Sequence, residues 1–182
     1  YINFSFDYFE LNLANSNMSG YYVNFKYGSV IGNNLNNTKI QLYDEVSSGN
    51  DTVQIVGNKY VYRIFSTTDS YYVNIANNFI YQPNSSAAEY GIRLEKNHSG
   101  AGINVVKNNS LRLRGGHGID LWAATSGNIN IYNNVIYDNG YADEGIHNYS
   151  STPHTVSYNF LDNSFDDGAL LGISNDGTNG IN

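Results

Sequence analysis

Three copies of a short motif carry side chains that could do chemistry. They are Gly91-Ile92-Arg93-Leu94, Gly118-Ile119-Asp120-Leu121 and Gly145-Ile146-His147-Asn148, spaced 27 and 27 residues apart. If Ile92, Ile119 and Ile146 point inward on successive strands, then Arg93, Asp120 and His147 point outward in a row, about 4.8 Å apart per strand. A cation, an acid and a base so placed could bind a uronate or remove a proton from it. The same row could equally be a solvent-exposed ladder, in which an Arg93–Asp120 pair contributes about 0–1 kcal/mol.

Just before these strands, Glu89, Asp143, Glu144, Asp166 and Asp167 are expected to gather along one edge. Stacked carboxylates with nearby carbonyls could supply the roughly six to eight hard oxygens that Ca²⁺ requires. The D-x-D-x-D-G loop spacing is missing, and acidic residues are also ordinary in solvated turns. No cofactor is required by the sequence; Ca²⁺ is the one candidate. Among aromatic residues there are 17 Tyr, 8 Phe and a single Trp. Aromatic faces stack on sugar rings and also fill protein interfaces. Trp122, directly after Leu121, is the candidate carbohydrate platform, or else an outward ring covering a loop.

What must position these residues is a repeat. Asparagine pairs recur between short apolar stretches in Ile75-Ala76-Asn77-Asn78-Phe79-Ile80, Val106-Lys107-Asn108-Asn109-Ser110-Leu111 and Ile131-Tyr132-Asn133-Asn134-Val135-Ile136. Val156-Ser157-Tyr158-Asn159-Phe160-Leu161 keeps the second Asn, and Ile31-Gly32-Asn33-Asn34 and Val56-Gly57-Asn58-Lys59 are earlier, looser copies. Counted from the second position, Asn34, Lys59, Asn78, Asn109, Asn134 and Asn159 lie 25, 19, 31, 25 and 25 residues apart. A period in the twenties with short strands is the signature of a solenoid.

Segments such as Tyr72-Val73-Asn74-Ile75 and Ile129-Asn130-Ile131 alternate apolar and polar, the period-2 pattern of a strand with one buried face. With the Gly-Ile-x-Leu strand interleaved, each repeat carries about three strands. Stacked in parallel, these make an all-β parallel β-helix of about six to seven coils, a single domain over residues 1–182. Asn tolerates the positive φ of a tight corner, and its amide can bond to the equivalent Asn one coil away. The expected structural ladder is Asn34, Asn78, Asn109, Asn134 and Asn159, interrupted at Lys59.

These repeats, best seen from Ile129 to Asn148, resemble the right-handed parallel β-helix proteins of the pectate-lyase-like superfamily and its carbohydrate-binding and sugar-hydrolase relatives. The resemblance covers about residues 30–175. It implies a right-handed solenoid with a groove along one face, and it spans lyases, hydrolases, epimerases and adhesins. Gly116-His117-Gly118 resembles the Gly-His-Gly element of polygalacturonases, and Asp166-Asp167 their paired aspartates. Here the order of the two is reversed, and no Lys or Arg follows Arg114 to complete the hydrolytic set. Lyases of the superfamily use Arg or Lys as base beside calcium carboxylates; Lys107, Arg112 and Arg114 are the cations near the middle of the chain. Arg112 and Arg114 flank Leu113 in a strand pattern, so both are expected to face outward.

Composition excludes several partners. Net charge is −7 with a pI near 4.8, and no basic run offers itself to nucleic acid. No apolar stretch approaches the roughly 18 residues of a membrane helix. Absence of cysteine removes disulfides and thiolate metal sites. Sequons begin at Asn3, Asn17, Asn36, Asn50, Asn84, Asn97, Asn108 and Asn148 and suggest an extracellular or cell-surface glycoprotein, with Asn108 the poorest acceptor because it sits at a corner. The chain opens at Tyr1 without a signal peptide, which reads as a processed or excised segment.

Neither end offers a capping helix. Residues 1–18 begin as an aromatic strand, Tyr1-Ile2-Asn3-Phe4-Ser5-Phe6-Asp7-Tyr8-Phe9, suited to end pairing or assembly. The sequence therefore leads to an expected non-catalytic, fibre-forming or surface glycoprotein built by end-to-end or lateral assembly of β-helices through their open ends. The alternatives are a polysaccharide lyase or epimerase using Arg93, Asp120 and His147, and a carbohydrate-binding adhesin module relying on Trp122.

Overall fold

The computed structural model describes residues 10–19, 22–25, 27–42, 52–66, 72–83, 90–95, 104–114, 116–122, 128–138, 144–150, 154–161 and 173–175. Every regular element among them is a strand, and every strand pairing is parallel. One sheet stacks β1 (Glu10–Ala14), β3 (Tyr27–Ile31), β5 (Thr52–Val56), β7 (Tyr72–Ala76), β10 (Asn104–Lys107), β13 (Ile129–Tyr132) and β16 (Thr155–Ser157) in that order. Each coil thus contributes one strand, and among the described residues seven coils are stacked. The chain is a parallel β-helix.

The remaining two faces form a second sheet. β2 (Tyr22–Phe25) pairs with β4 (Asn34–Leu42), which pairs with β6 (Lys59–Ser66). β4 and β6 are nine and eight residues long and serve both faces. Val61 of β6 meets Ile80 of β8 (Phe79–Tyr81), while Ile64, Phe65 and Ser66 meet Ile92, Arg93 and Leu94 of β9 (Ile92–Leu94). From there the faces separate. β8 leads to β11 (Ser110–Leu113), β14 (Val135–Asp138) and β17 (Phe160–Leu161); β9 leads to β12 (Ile119–Leu121), β15 (Ile146–Asn148) and β18 (Ile173–Asn175). Three strands per coil therefore hold in the last four coils, whereas in the coils of β4 and β6 two faces merge into one long strand.

Alternation and register together make the core. Val30, Ile55, Ile75, Val106 and Ile131 align from coil to coil, and Ile40, Ile64, Ile92, Ile119 and Ile146 form a second inward row. All ten are buried. Burying an aliphatic side chain of this size contributes about 1.5–3 kcal/mol, so every coil is held by its neighbours rather than by itself. A third inward row, Leu42, Ser66, Leu94, Leu121 and Asn148, turns polar at its end. Asn148 is fully buried, and its Oδ1 accepts the Ser150 N–H at 3.1 Å.

The asparagine ladder has a different register at its start from that expected. It runs Asn33, Asn58, Asn78, Asn109, Asn134 and Asn159, each Nδ2 donating to the next Oδ1 at 2.9–3.0 Å. Asn34 lies one residue beyond it as an exposed strand position, and Lys59 interrupts nothing because Asn58 fills the slot. The residue before each rung takes positive φ: Gly32, Gly57, Asn77, Asn108, Asn133 and Tyr158, at 53–69°. Two adjacent residues divide the work, one bending the chain in the left-handed region and the next pointing inward to bond. In the first two copies glycine bends the chain, so the "pair" shifts by one residue and misleads a reader who aligns on Asn-Asn.

Two interior polar residues, Asn104 and His154, alternate with Val73 and Ile129 at the start of the first sheet's strands. Asn104 Oδ1 accepts the Val73 N–H at 2.9 Å, and His154 Nδ1 accepts the Ile129 N–H at 3.3 Å. Since Nδ1 accepts, the neutral ring of buried His154 carries its proton on Nε2. Burial disfavours the imidazolium and lowers the His154 pKa from 6.5 to about 4. The unfolded chain therefore takes up a proton at a higher pH than the folded one, so this contribution to stability is complete above the unfolded pKa and is lost as pH falls towards the folded one. Unfolding free energy is expected to drop by about 2 kcal/mol between about pH 7 and pH 5 through this group. Urea titrations at the two pH values check it: His154→Asn, which copies the Asn104 solution, should remove most of the drop.

Candidate polar and aromatic face on β9, β12 and β15

Arg93, Asp120 and His147 do share one face, in direct register on β9, β12 and β15. They are not a free-standing row. Asp120 is fully buried, His147 is 7 % exposed, and the Arg93 side chain 19 %. Asp120 Oδ1 lies 2.9 Å from His147 Nδ1, and its Oδ2 lies 3.3 Å from Arg93 Nε. An ionised carboxylate only accepts, so His147 carries a proton on Nδ1. Arg93 also meets Glu95 Oε1 at 2.7 Å. One guanidinium and one imidazole thus clamp a carboxylate that has no exposure to solvent.

Two flanking rows cover the clamp. Two residues before each inward Ile stand Tyr90, His117 and Glu144; three residues after it stand Glu95, Trp122 and Tyr149. Gly91 and Gly118 bring the first of these rows close in, with Gly91 N–H bonded to the His117 carbonyl and Gly118 N–H to the Glu144 carbonyl, both at 2.9 Å. The His117 ring stacks on His147 at 4.5 Å between centroids, and its Nδ1 meets the Glu144 carboxylate. Arg93 lies over the Trp122 ring at 4.1 Å and over Tyr90 at 5.1 Å. Desolvated cation–π contacts of this kind contribute about 1–2 kcal/mol each.

On top of this layer, Trp122 and Tyr149 lie side by side on neighbouring coils, centroids 5.3 Å apart and planes inclined by 32°. They remain 39 % and 44 % exposed, while the polar groups beneath them are not. Tyr149 also stacks against His147 at 6.0 Å. The result is a two-ring platform whose underside is fixed by charge.

Trp122 was visible in the sequence as a lone tryptophan. Its partners Tyr90, His117, Glu95 and Tyr149 were not singled out as members of this face, although positions 90, 117 and 144 and positions 95, 122 and 149 repeat the same 27-residue spacing as the motif itself.

Of the proposed calcium edge, Glu89, Asp143, Asp166 and Asp167 lie outside the described residues, and Glu144 is engaged by His117. Among the described residues no three His, Cys, Asp or Glu side chains come together as a metal site. Of the sequons, Asn3, Asn50, Asn84 and Asn97 lie outside the described residues. Asn17, Asn36 and Asn108 are exposed. Asn148 is overturned as an acceptor: it occupies the inward Leu position of its motif and is fully buried. Asn108, thought poor because it forms a corner, points to solvent because the bend residue and the inward residue are different ones. The aromatic end segment 1–9 and residues 176–182 also fall outside the described residues. Among those described, no helix is long and apolar enough to cross a membrane.

No family model matches the chain, and neither a curated protein nor a solved structure with significant similarity to it was found.

Proposed function

We propose that this β-helix is a non-catalytic module of an extracellular surface protein that binds neutral carbohydrate on its Trp122–Tyr149 platform. The observation that carries the reading is the layering: two exposed, adjacent rings over less exposed charged groups, among them the fully buried Asp120 set between His147 and Arg93. Sugar rings stack on aromatic faces, and a platform fixed in advance loses little entropy on binding. Among the described residues the face holds three carboxylates, Glu95, Asp120 and Glu144, against two guanidiniums, Arg93 and the Arg63 that lies over Tyr90 at 5.2 Å, an acidic balance that favours a neutral glycan over a polyuronate. A catalytic acid or base must reach its substrate, and Asp120 at 0 % exposure does not reach solvent. Exposed sequons at Asn17, Asn36 and Asn108 accord with an extracellular location.

The test is a screen against neutral oligosaccharides followed by calorimetry on the best ligand. Trp122→Ala should weaken binding by about 30-fold, the loss of one aromatic hot spot of about 2 kcal/mol, and Tyr149→Ala by less. An unchanged affinity in Trp122→Ala sinks the reading.

One observation favours a second reading. His147 and His117 each hold a carboxylate at Nδ1, the arrangement in which a carboxylate orients a histidine base. If the face acts on a polysaccharide as a lyase or epimerase, new reducing ends or epimerised sugars will form with the native protein and vanish with His147→Ala.

A further inference from the structure

Around the corner from the platform, on the β8–β11–β14 face, the chemistry reverses. Tyr81, Arg112 and Tyr137 are aligned on three successive coils. The exposed Arg112 guanidinium sits between the two rings, 5.8 Å from the Tyr81 centroid and 5.9 Å from that of Tyr137. Leu113 points into the core, so Arg114 returns to the outer side. There its Nη1 donates to the Pro83 carbonyl at 3.0 Å, which holds the guanidinium plane, while its Nε is buried without a partner.

Both arginines line one cleft of about 170 Å³ with Tyr81, Gln82, Pro83 and Leu113. None of these lining residues is acidic. Gln82 is itself fixed, its Nε2 donating to the Tyr90 carbonyl at 2.8 Å. In a chain with 16 acidic and 9 basic side chains, two arginines lining one cleft with no acidic residue in its lining are an exception. Arg93 shows the contrast, with Glu95 and Asp120 both against it.

We infer that this cleft binds a sulfate or phosphate group. A carboxylate offers two oxygens, which one guanidinium can satisfy in bidentate fashion. A tetrahedral oxyanion offers three or more and can accept from both arginines at once. The cleft is small for a whole drug-sized ligand but suits one such group. Preorganisation by the Pro83 carbonyl and by the flanking rings keeps both guanidiniums in place before binding. The inference goes beyond the platform and does not depend on it.

Titrations of the full chain at low salt with inorganic sulfate, inorganic phosphate and acetate test it, followed by amide chemical shifts and by calorimetry. Sulfate or phosphate should saturate with shifts centred on residues 81–83 and 112–114, and the tighter of the two identifies the ester to seek on a natural ligand. Affinity should fall about tenfold or more in Arg112→Gln and in Arg114→Gln, stay unchanged in Trp122→Ala, and exceed that of acetate by about tenfold. The Arg112 side chain is exposed and makes no hydrogen bond among the described residues, so its variant tests the site even if Arg114→Gln disturbs the Pro83 corner. Failure to saturate with either ion, equal affinity for acetate, or unchanged binding in Arg112→Gln overturns the inference.

Discussion

Replacing Asn109 by Ala is expected to destabilise the protein by about 4 kcal/mol, as much as emptying a large core position. Its Nδ2 donates to the Ile75 carbonyl at 2.9 Å and to Asn134 Oδ1 at 3.0 Å. Its Oδ1 accepts from both the backbone N–H and the Nδ2 of Asn78, each at 3.0 Å. Truncation leaves the Ile75 carbonyl and two donors of Asn78 unpaired in the interior, where each such group costs about 1–3 kcal/mol, less what an entering water recovers. Urea unfolding monitored by far-UV circular dichroism measures the change. Asn34→Ala, outside the ladder, should move stability by no more than about 0.5 kcal/mol. A loss at Asn34 as large as that at Asn109 would contradict the register described here.

Gly118→Ala is expected to cost about 3 kcal/mol, for a steric reason rather than a conformational one. A Cβ there would press on the carbonyl oxygen of Gly145 and stand 2.8 Å from Ile136 Cγ2. The first of these atoms is backbone, held by its bond from the Ile119 N–H at 2.9 Å, so it cannot give way without opening the coil. The same change would shift His117 and Asp120 on either side of Gly118, and loss of carbohydrate binding should accompany the loss of stability. Gly57 makes the control. A Cβ there would meet only the Gly32 backbone, at an ordinary 3.9 Å, and its φ of +69° is that of the bend slot that Asn77, Asn108 and Asn133 fill elsewhere, so Gly57→Asn should bear a modest backbone strain of no more than about 1 kcal/mol. Thermal unfolding of the two variants side by side separates a clash from a backbone preference.

Both expectations come from stacking. In a solenoid each side chain meets its counterpart one coil away, so one substitution is felt by two neighbours of the same kind. That explains why the ladder's inner rungs are satisfied by the adjacent coils, through the neighbouring Asn amides and backbone groups, and why the polar clamp beneath Trp122 can bury a carboxylate. Asp120 finds Arg93 on the coil before and His147 on the coil after.

The repeat architecture was legible from the chain alone, because alternation of apolar residues and the spacing of Gly-Ile-x-Leu and Asn-Asn are local properties that survive without knowing the fold. They sufficed for a parallel β-helix, for the coil count and for the alignment of Arg93, Asp120 and His147. The sequon at Asn148 pointed the other way, to an exposed acceptor, although Asn148 occupies the inward Leu position of its own motif and is buried. The tertiary structure alone decided the rest. Outward from a strand does not mean into solvent: Asp120 faces away from the core and is yet fully buried, because Trp122, Tyr149, His117 and Tyr90 from three coils close over it. The ladder's true register at Asn33 and Asn58 likewise depended on which residue bends and which points in: Gly32 and Gly57 take the left-handed φ that Asn takes in later coils, so alignment on Asn-Asn alone picks the wrong residue. Whether an outward charge lies between rings with no carboxylate against it among the described residues, as at Arg112, or is clamped by one, as at Arg93, depends on which side chains the coils before and after present to it, and that is set by coil length and register together.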